Sequence, residues 1–375
     1  MAKLTKKSLE TKQTLLRSAE QLFSAKWYET VSVPEISRHA GKSSGAFYNY
    51  FKNKEEIFLS LLNRFLEIFQ GELEKISGGT LEERMESFID ITIGTAETYR
   101  DLVTIFREGQ YRYNEMEQRL KAIYVDALTK VYGRELTENE YLYITGPVRF
   151  ISIRSLYHKR PYDRNSLMEL LLRGMYGGMS IDRDKVFGPV SFDDETAPEN
   201  TRDILLAKAV ELFGEEGFHQ VNVYDITRQS RFAVGTFYRH FESKEQILEE
   251  LVEMIGKKTR SVIAGSMEND LNPLEQTIRG FYAFIRMFEK HPAYYKIVRE
   301  AEFVIDKTVE DYYNRFEKGY LKQQYPEKMD PVTMANALSG IGHYFGIEDI
   351  FSHNIDNIES GLLRVGSFLQ SGIRE

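Results

Sequence analysis

Between Ser43 and Lys54 the chain collects groups suited to phosphate oxygens and base edges: Ser43-Ser44-Gly45-Ala46-Phe47-Tyr48-Asn49-Tyr50, then Asn53-Lys54. Ser43, Ser44 and Asn49 are short donors and acceptors, and the hydroxyls of Tyr48 and Tyr50 can reach phosphates. Lys54 would stand beside the free N–H groups of a helix start, and the two together make a phosphate site. Gly45 and Ala46 are small enough to let a helix approach a groove closely, while Phe47 and Phe51, four apart, read as its buried face. Catalytic chemistry has no comparable cluster. The seven histidines are scattered without HxxxH or HxH spacing, and cysteine is absent, which removes disulfides, thiolate zinc sites and cysteine nucleophiles together. Glu82-Glu83 and Glu249-Glu250 read as solvated surface. The expectation is therefore no catalytic residue, no metal and no cofactor. A recombinase-like enzyme that docks on DNA is the rival, and it would need a carboxylate cluster or an activated Ser or Tyr.

The same grouping occurs twice. A shift of 190 residues lays Thr11–Phe58 over Thr201–Leu248 without a gap, and 17 of the 48 positions are identical. Chance would give roughly three matches at ordinary residue frequencies. Similar helical periodicity alone would match apolar positions, but not Gly45 with Gly235, Tyr48 with Tyr238 and Lys54 with Lys244. A shorter anchor lies beyond the first segment: Ile105-Phe106-Arg107-Glu108 matches Ile297-Val298-Arg299-Glu300 at an offset of 192. Between the copies, residues 181–200 hold six acidic and two basic side chains and no helical period, so they read as an acidic linker.

These groups need elements to position them. Leu15, Leu16, Ala19, Leu22 and Phe23 form one apolar helical stripe, with Thr11 as its N-cap. Ser32-Val33-Pro34-Glu35 reads as a capping box opening a second helix, and Asn222 with Asp225 does the same in the second copy. Gly41 ends that helix and Ser43 caps a third, from Ser44 to about Tyr50. A fourth opens at Asn53-Lys54-Glu55-Glu56 and at Ser243-Lys244-Glu245-Gln246, again as capping boxes. Two short helices joined by a Gly-containing turn describe a helix-turn-helix, whose second helix enters a major groove.

AGKSSGAFYNYFKNKEEIF and VGTFYRHFESKEQIL resemble the DNA-binding headpiece of TetR-like transcriptional repressors, over about 48 residues in each half. The resemblance implies an all-α fold, with a headpiece that reads DNA and a larger helical domain that binds a small ligand and dimerises through a four-helix bundle. It places Thr30, Ser43, Tyr48 and Lys54 at phosphates, and Lys42, Ser44, Ala46 and Asn49 facing bases. In the second copy it places Gln220, Tyr238 and Lys244 at phosphates, with Phe232, Val234, Thr236, Arg239 and His240 at bases. Three residues depart from the pattern. Trp27 replaces a Gly, Arg231 replaces the turn Gly, and Ala233 replaces the recognition-helix cap at a cost of about 1 kcal/mol.

The expected organisation is two headpieces (1–58 and 201–248), two helical ligand and pairing domains (59–180 and 249–375), and the acidic linker at 181–200. The two halves would pair as a covalent pseudo-dimer, reading an operator whose half-sites differ; pairing of two whole chains stays open. The net charge of −8 averages unlike parts. Residues 1–58 carry ten basic and six acidic side chains, with Lys3, Lys6, Lys7 and Lys12 as a basic arm, whereas 201–248 carry six and seven. An adaptor in which only the first headpiece binds DNA and the second is scaffold is the alternative.

The helical remainder is rich in aromatics, with 24 Phe and 23 Tyr in the chain. That composition suggests an apolar or aromatic small-molecule effector, for which Arg107, Arg149, Arg154, Arg299, His343 and Tyr344 are the candidate polar contacts. Tyr141–His158 and Val332–Phe351 read as bundle helices. The glycines 174, 177 and 178, and 340, 342 and 346, either permit close helix approach or break helices. The basic start of the chain lacks an apolar stretch, and the longest uncharged run, Pro331–Ile347, is interrupted by polar residues. Neither a secretory signal nor a membrane span is expected, and the location expected is cytoplasmic.

Overall fold

The structure, a computed structural model, describes residues 6–192, 197–350 and 357–374. The described residues form α-helices and one 3₁₀ turn, with no strand among them. The first nine helices are α1 (Lys6–Ala25), α2 (Val33–His39), α3 (Ser44–Tyr48), α4 (Lys54–Leu73), α5 (Leu81–Thr98), α6 (Arg100–Arg112), α7 (Asn114–Tyr132), α8 (Glu138–His158) and α9 (Arg164–Arg173). One turn of helix, α10 (Arg183–Val186), follows in the linker. The series then restarts: α11 (Thr201–Glu216), α12 (Val223–Gln229), α13 (Val234–Phe237), α14 (Lys244–Gly265), α15 (Pro273–Lys290), α16 (Pro292–Ala301), α17 (Asp306–Tyr320), α18 (Pro331–Ile350) and α19 (Ile358–Ser371). Helix for helix, α11–α19 repeat α1–α9, so the duplication extends past the headpiece to the whole half. Compactness divides the chain elsewhere, into Met1–Glu135 and Leu136–Glu375.

Each headpiece forms around a small aromatic core. Leu15, Ala19, Phe23, Ile36, Phe47 and Phe58 are buried in the first, and Leu205, Ala209, Phe213, Ile226, Phe237 and Leu248 in the second. Local signals set the helix starts, with some differences from expectation. Thr11 lies inside α1, where its hydroxyl donates to Lys7 O, because nothing in Lys6–Glu10 stops the helix from extending a turn earlier. Lys6, Lys7 and Lys12 are thus helical, Lys12 resting over the Phe51 ring, while Lys3 lies outside the described residues. Ser32 accepts from Glu35 N, but the Glu35 carboxylate pairs with Lys26 instead of closing the capping box. Asn222 and Asp225 do close theirs. Asn53 and Ser243 each cap their helix, and the side chains of Glu56 and Gln246 reach back to the N–H before the cap, at Lys52 and Glu242.

In the larger unit the linker is held against α15. Arg279 donates to the carbonyls of Val186, Gly188 and Pro189, Lys185 pairs with Asp270, and Val186 is fully buried. The part of the expected linker at 193–196 lies outside the described residues.

The same unit holds a bundle in which α8 and α9, from the first half, pack on α18 and α19, from the second. Its contacts are reciprocal. Gly146 and Gly340 face each other so closely that a Cβ on either would meet the other's carbonyl, at 3.0 and 2.6 Å. Arg149 covers the Tyr344 ring at 4.5 Å, while Phe150 meets His343 at 6.0 Å. An offset of 194 converts 146, 149 and 150 into 340, 343 and 344, so each contact is the image of the other. At the bundle's end Met175 N donates to Leu369 O (2.7 Å) and Ile373 N to Leu171 O (2.9 Å), again an exchanged pair. This is the contact pattern of a two-fold, self-complementary interface. Of the glycines singled out, Gly340 and Gly174 are close-approach positions in this bundle, and Gly174 also ends α9 at φ +71°. Gly342 and Gly346 instead accommodate Phe281 and Phe284 of α15. Gly146 and Gly372, which play the same part, carried no signal in the sequence.

Candidate nucleic-acid interface and effector cavity

The two recognition helices present the same surface on the same core. Phe47 and Phe237 are fully buried and meet Phe51 and Phe241 in tilted ring contacts, centroids 5.5 Å apart in both copies. The following tyrosines point outward, Tyr48 at 59% and Tyr238 at 58% exposure. Lys42, Ser43 and Asn49 are exposed beside Tyr48, with Ser44, Ala46 and Tyr50 half-buried; the Tyr50 hydroxyl accepts from Ser8. Arg239 and His240 are exposed beside Tyr238, with Thr236 half-buried. Tyr224, 59% exposed at the start of α12 with Arg228 near its ring, belongs to this face too. Pro34 stands at its position in the first copy, so comparing the repeats does not reveal Tyr224.

The three departures have visible consequences. Arg231 adopts φ +60°, close to the +64° of Gly41, so the turn is kept in a conformation that costs a side-chain-bearing residue about 1 kcal/mol or more. Ala233 makes no side-chain cap bond, whereas Ser43 accepts from Ala46 N, and α13 is four residues long against five for α3. Restoring the cap with Ala233→Ser is expected to add about 1 kcal/mol. Denaturant unfolding should report the gain, and amide exchange should slow at Thr236; an unchanged midpoint would mean that the second recognition helix is held by packing alone. Trp27 takes φ −58° where Gly217 has φ +88°, and the chain then makes the 3₁₀ turn Tyr28–Thr30, on which the Thr30 hydroxyl donates to Trp27 O.

That turn is held from two sides in each copy. The Lys54 ammonium donates to Tyr28 O at 2.8 Å and lies over the Tyr28 ring; Lys244 donates to the carbonyls of Phe218 and Val221 and lies over the Phe218 ring. Burial lowers the pKa of both lysines. From α6, Glu108 accepts the Tyr28 N–H at 3.2 Å, and from α16, Glu300 accepts the Phe218 N–H at 2.6 Å. Burial pushes Glu108 up to about 7, against the opposing pull of Arg112. Glu108 and Glu300 are the matching glutamates of the short anchor motif, so the repeated motif is a piece that ties α6 and α16 to the headpiece of their own half.

The six candidate ligand residues separate. Arg107 is half-buried on α6. Arg149 and Tyr344 cover one another in the bundle. Arg154 is buried there in a network with Glu317 (2.8 Å), Asn314 and Asn336, and burial lowers its pKa. Arg299 and His343 line a partly open pocket among α14–α18, with about 530 Å³ of space that includes open solvent, walled by Ile263, Phe281, Phe284, Tyr295, Val298, Tyr312, Tyr313, Phe316 and Tyr320. Arg299 reaches both Glu302 oxygens at 2.9 Å and faces His343 Nε2 at 3.4 Å. Burial opposes the Arg299 charge, but Glu302 and the surrounding tyrosines outweigh it and its pKa rises. Spacing alone could not have indicated this wall, because the five helices contributing to it meet only after folding. Among the described residues no group of His, Asp or Glu could hold a metal ion, and no helix is long and apolar enough to cross a membrane.

Both headpieces have matches among known proteins. The pattern of the bacterial regulatory proteins of the tetR family matches residues 15–61 and again 205–251. The HTH-type transcriptional regulator HbdR of Aromatoleum sp. (strain CIB) is 26% identical over 184 residues, spanning 44% of this chain and 78% of that one. The HTH-type regulator YuxN of Bacillus subtilis (strain 168) is 27% identical over 195 residues, 48% of this chain and 67% of its own length. Among solved structures, the fatty acid degradation regulator FadR from Bacillus halodurans has 18% identity and a TM-score of 0.39, covering 48% of this chain and 100% of that one. The repeated sequence pattern and the two headpieces it covers make the chain a TetR-like, DNA-binding transcriptional regulator in which two copies are fused in tandem.

Proposed function

We propose that the chain is a ligand-responsive repressor whose two halves pair with each other and read an operator with two non-identical half-sites. The reciprocal contacts of α8 and α9 with α18 and α19 carry this reading. They are the contacts that a two-fold pair of subunits makes, and both sides come from one polypeptide. The headpieces differ where bases are read, Lys42, Ser44, Ala46 and Asn49 against Phe232, Val234, Thr236, Arg239 and His240, and unlike readers favour unlike half-sites. A perfect palindrome of either half-site should bind less tightly than the mixed site in a gel-shift titration; equal affinity for the palindromes would reject the reading. Arg239→Ala tests the alternative in the same assay. The unfilled cap at Ala233 and the strained turn at Arg231 favour a second headpiece kept as scaffold, and in that case Arg239→Ala would leave affinity unchanged.

Effector response is supported by adjacency. Arg299 faces the cavity, and Glu300, the next residue, holds the Phe218 N–H of the headpiece. A molecule that moves α16 would move this contact, and differential affinity for the two arrangements would shift DNA binding. Repression is the reading carried from the family, whose members similar to this chain include a repressor, KstR2, and an activator, FasR, both of Mycolicibacterium smegmatis.

A further inference from the structure

We propose that the cavity among α14–α18 selects an uncharged, largely aromatic molecule that carries one carbonyl-type oxygen, which Arg299 receives. The proposal rests on reading this cavity as the effector site. The apolar walls, among them Phe281, Phe284 and Phe316, account for the aromatic body.

The oxygen follows from the state of Arg299. Its NH1 group is used on Glu302 and His343, while its Nε–H and its other amino group have no acceptor among the described residues. Those donors belong to a residue of the cavity wall. A hydrocarbon that displaces water from such donors leaves them unpaired, so a ligand oxygen in their plane is favoured over a hydrocarbon of equal shape.

The absence of charge follows from what already surrounds Arg299. Glu302 neutralises it with both oxygens, and the Tyr313 hydroxyl donates to Glu302 as well. Burial raises the pKa of Tyr295, Tyr312, Tyr313 and Tyr320, so these hydroxyls stay neutral. An imidazole nitrogen that accepts from a guanidinium is unprotonated, which leaves His343 without a cation to offer at Nε2. A carboxylate ligand would therefore be a second anion beside Glu302 in apolar surroundings, without a second cation among the described residues of the wall to pair with.

The test uses three probes of one shape on the full chain, followed by isothermal titration calorimetry: 2-acetylnaphthalene, its isostere 2-isopropenylnaphthalene, and naphthalene-2-carboxylate. The ketone is expected to bind at least tenfold more tightly than either of the others. In the double variant Arg299→Met/Glu302→Leu, which strands no buried charge, that advantage should vanish while the isopropenyl compound still binds. Equal affinity for ketone and isostere, or tighter binding of the carboxylate, would overturn the proposal. Ser339→Trp, which fills the cavity, should abolish binding of all three. Binding that survives this filling would overturn the effector-site reading itself, and a complete lack of binding by the unaltered chain would overturn both.

Discussion

Replacing Gly340 with valine should separate α8 from α18 and cost at least about 3 kcal/mol in the unit that spans 136–375. The cause is geometric. A Cβ at position 340 would lie 2.6 Å from Gly146 O and 2.8 Å from Phe150 Cβ. One of those atoms is backbone and the other the root of a side chain, so neither moves without moving its helix. Circular dichroism during thermal unfolding should show the loss. If the halves pair as proposed, affinity for the two-half-site operator should fall at least tenfold while affinity for a single half-site is kept. Gly94→Ala is the control. Gly94 lies inside α5 with nothing within 4 Å of the added Cβ, so this change should stabilise by roughly 0.5–1 kcal/mol. A Gly340→Val protein as stable as the parent would mean that the two helices do not pack at this glycine pair.

Glu317→Ala should be nearly as damaging for an electrostatic reason. Glu317 is 4% exposed and receives Arg154, Arg160 and Asn336 at once, joining a helix of the first half to α17 and α18 of the second. Removing it leaves two guanidinium groups facing each other without the carboxylate that bonds both, Arg154 among them buried, at a cost of about 3–5 kcal/mol. The melting temperature should fall by on the order of 10 °C. Glu317→Gln should lose less, since it keeps acceptors for Arg154 and Arg160 while giving up the charge. A fall of only a degree or two for Glu317→Ala would show that water reaches the pair.

Much of this could be read along the chain, wherever the determining interaction is local. The repeat announced itself through Gly45, Tyr48 and Lys54, which periodicity does not demand. The caps at Asn53, Asn222 and Ser243 formed where expected, because a cap needs only the residues of its own first turn. The outward tyrosines and buried phenylalanines of the recognition helices follow from a 3.6-residue period alone. Thr11 shows the limit of local reading: its type suits a cap, but no neighbour stops the helix from starting earlier.

What could not be read depends on pairs distant in sequence. Nothing at Lys54 or Lys244 indicates that their ammonium groups would lie on the turns after the first helix of their own headpieces, 26 residues back at Tyr28 and Phe218. Glu108 and Glu300 were visible as a repeated motif, yet their task appeared only when each was found holding a headpiece N–H about 80 residues away. Six residues were equal candidates for an effector by composition, since a charged group on an apolar helix needs a partner of some kind. Folding distributed those partners. Arg154 received Glu317, Arg149 received the Tyr344 ring, and Arg299 received a carboxylate on one side with unused donors on the other.

Local hydrogen bonding and helical periodicity are written into neighbouring residues, so the sequence by itself determined two helix-turn-helix readers on two all-α halves. Which side chains are neutralised, and which glycines become contacts, depends on helices that meet only across the fold. The tertiary structure therefore decided the Gly146–Gly340 crossing, the reciprocal bundle and the placing of Arg299 between Glu302 and the pocket.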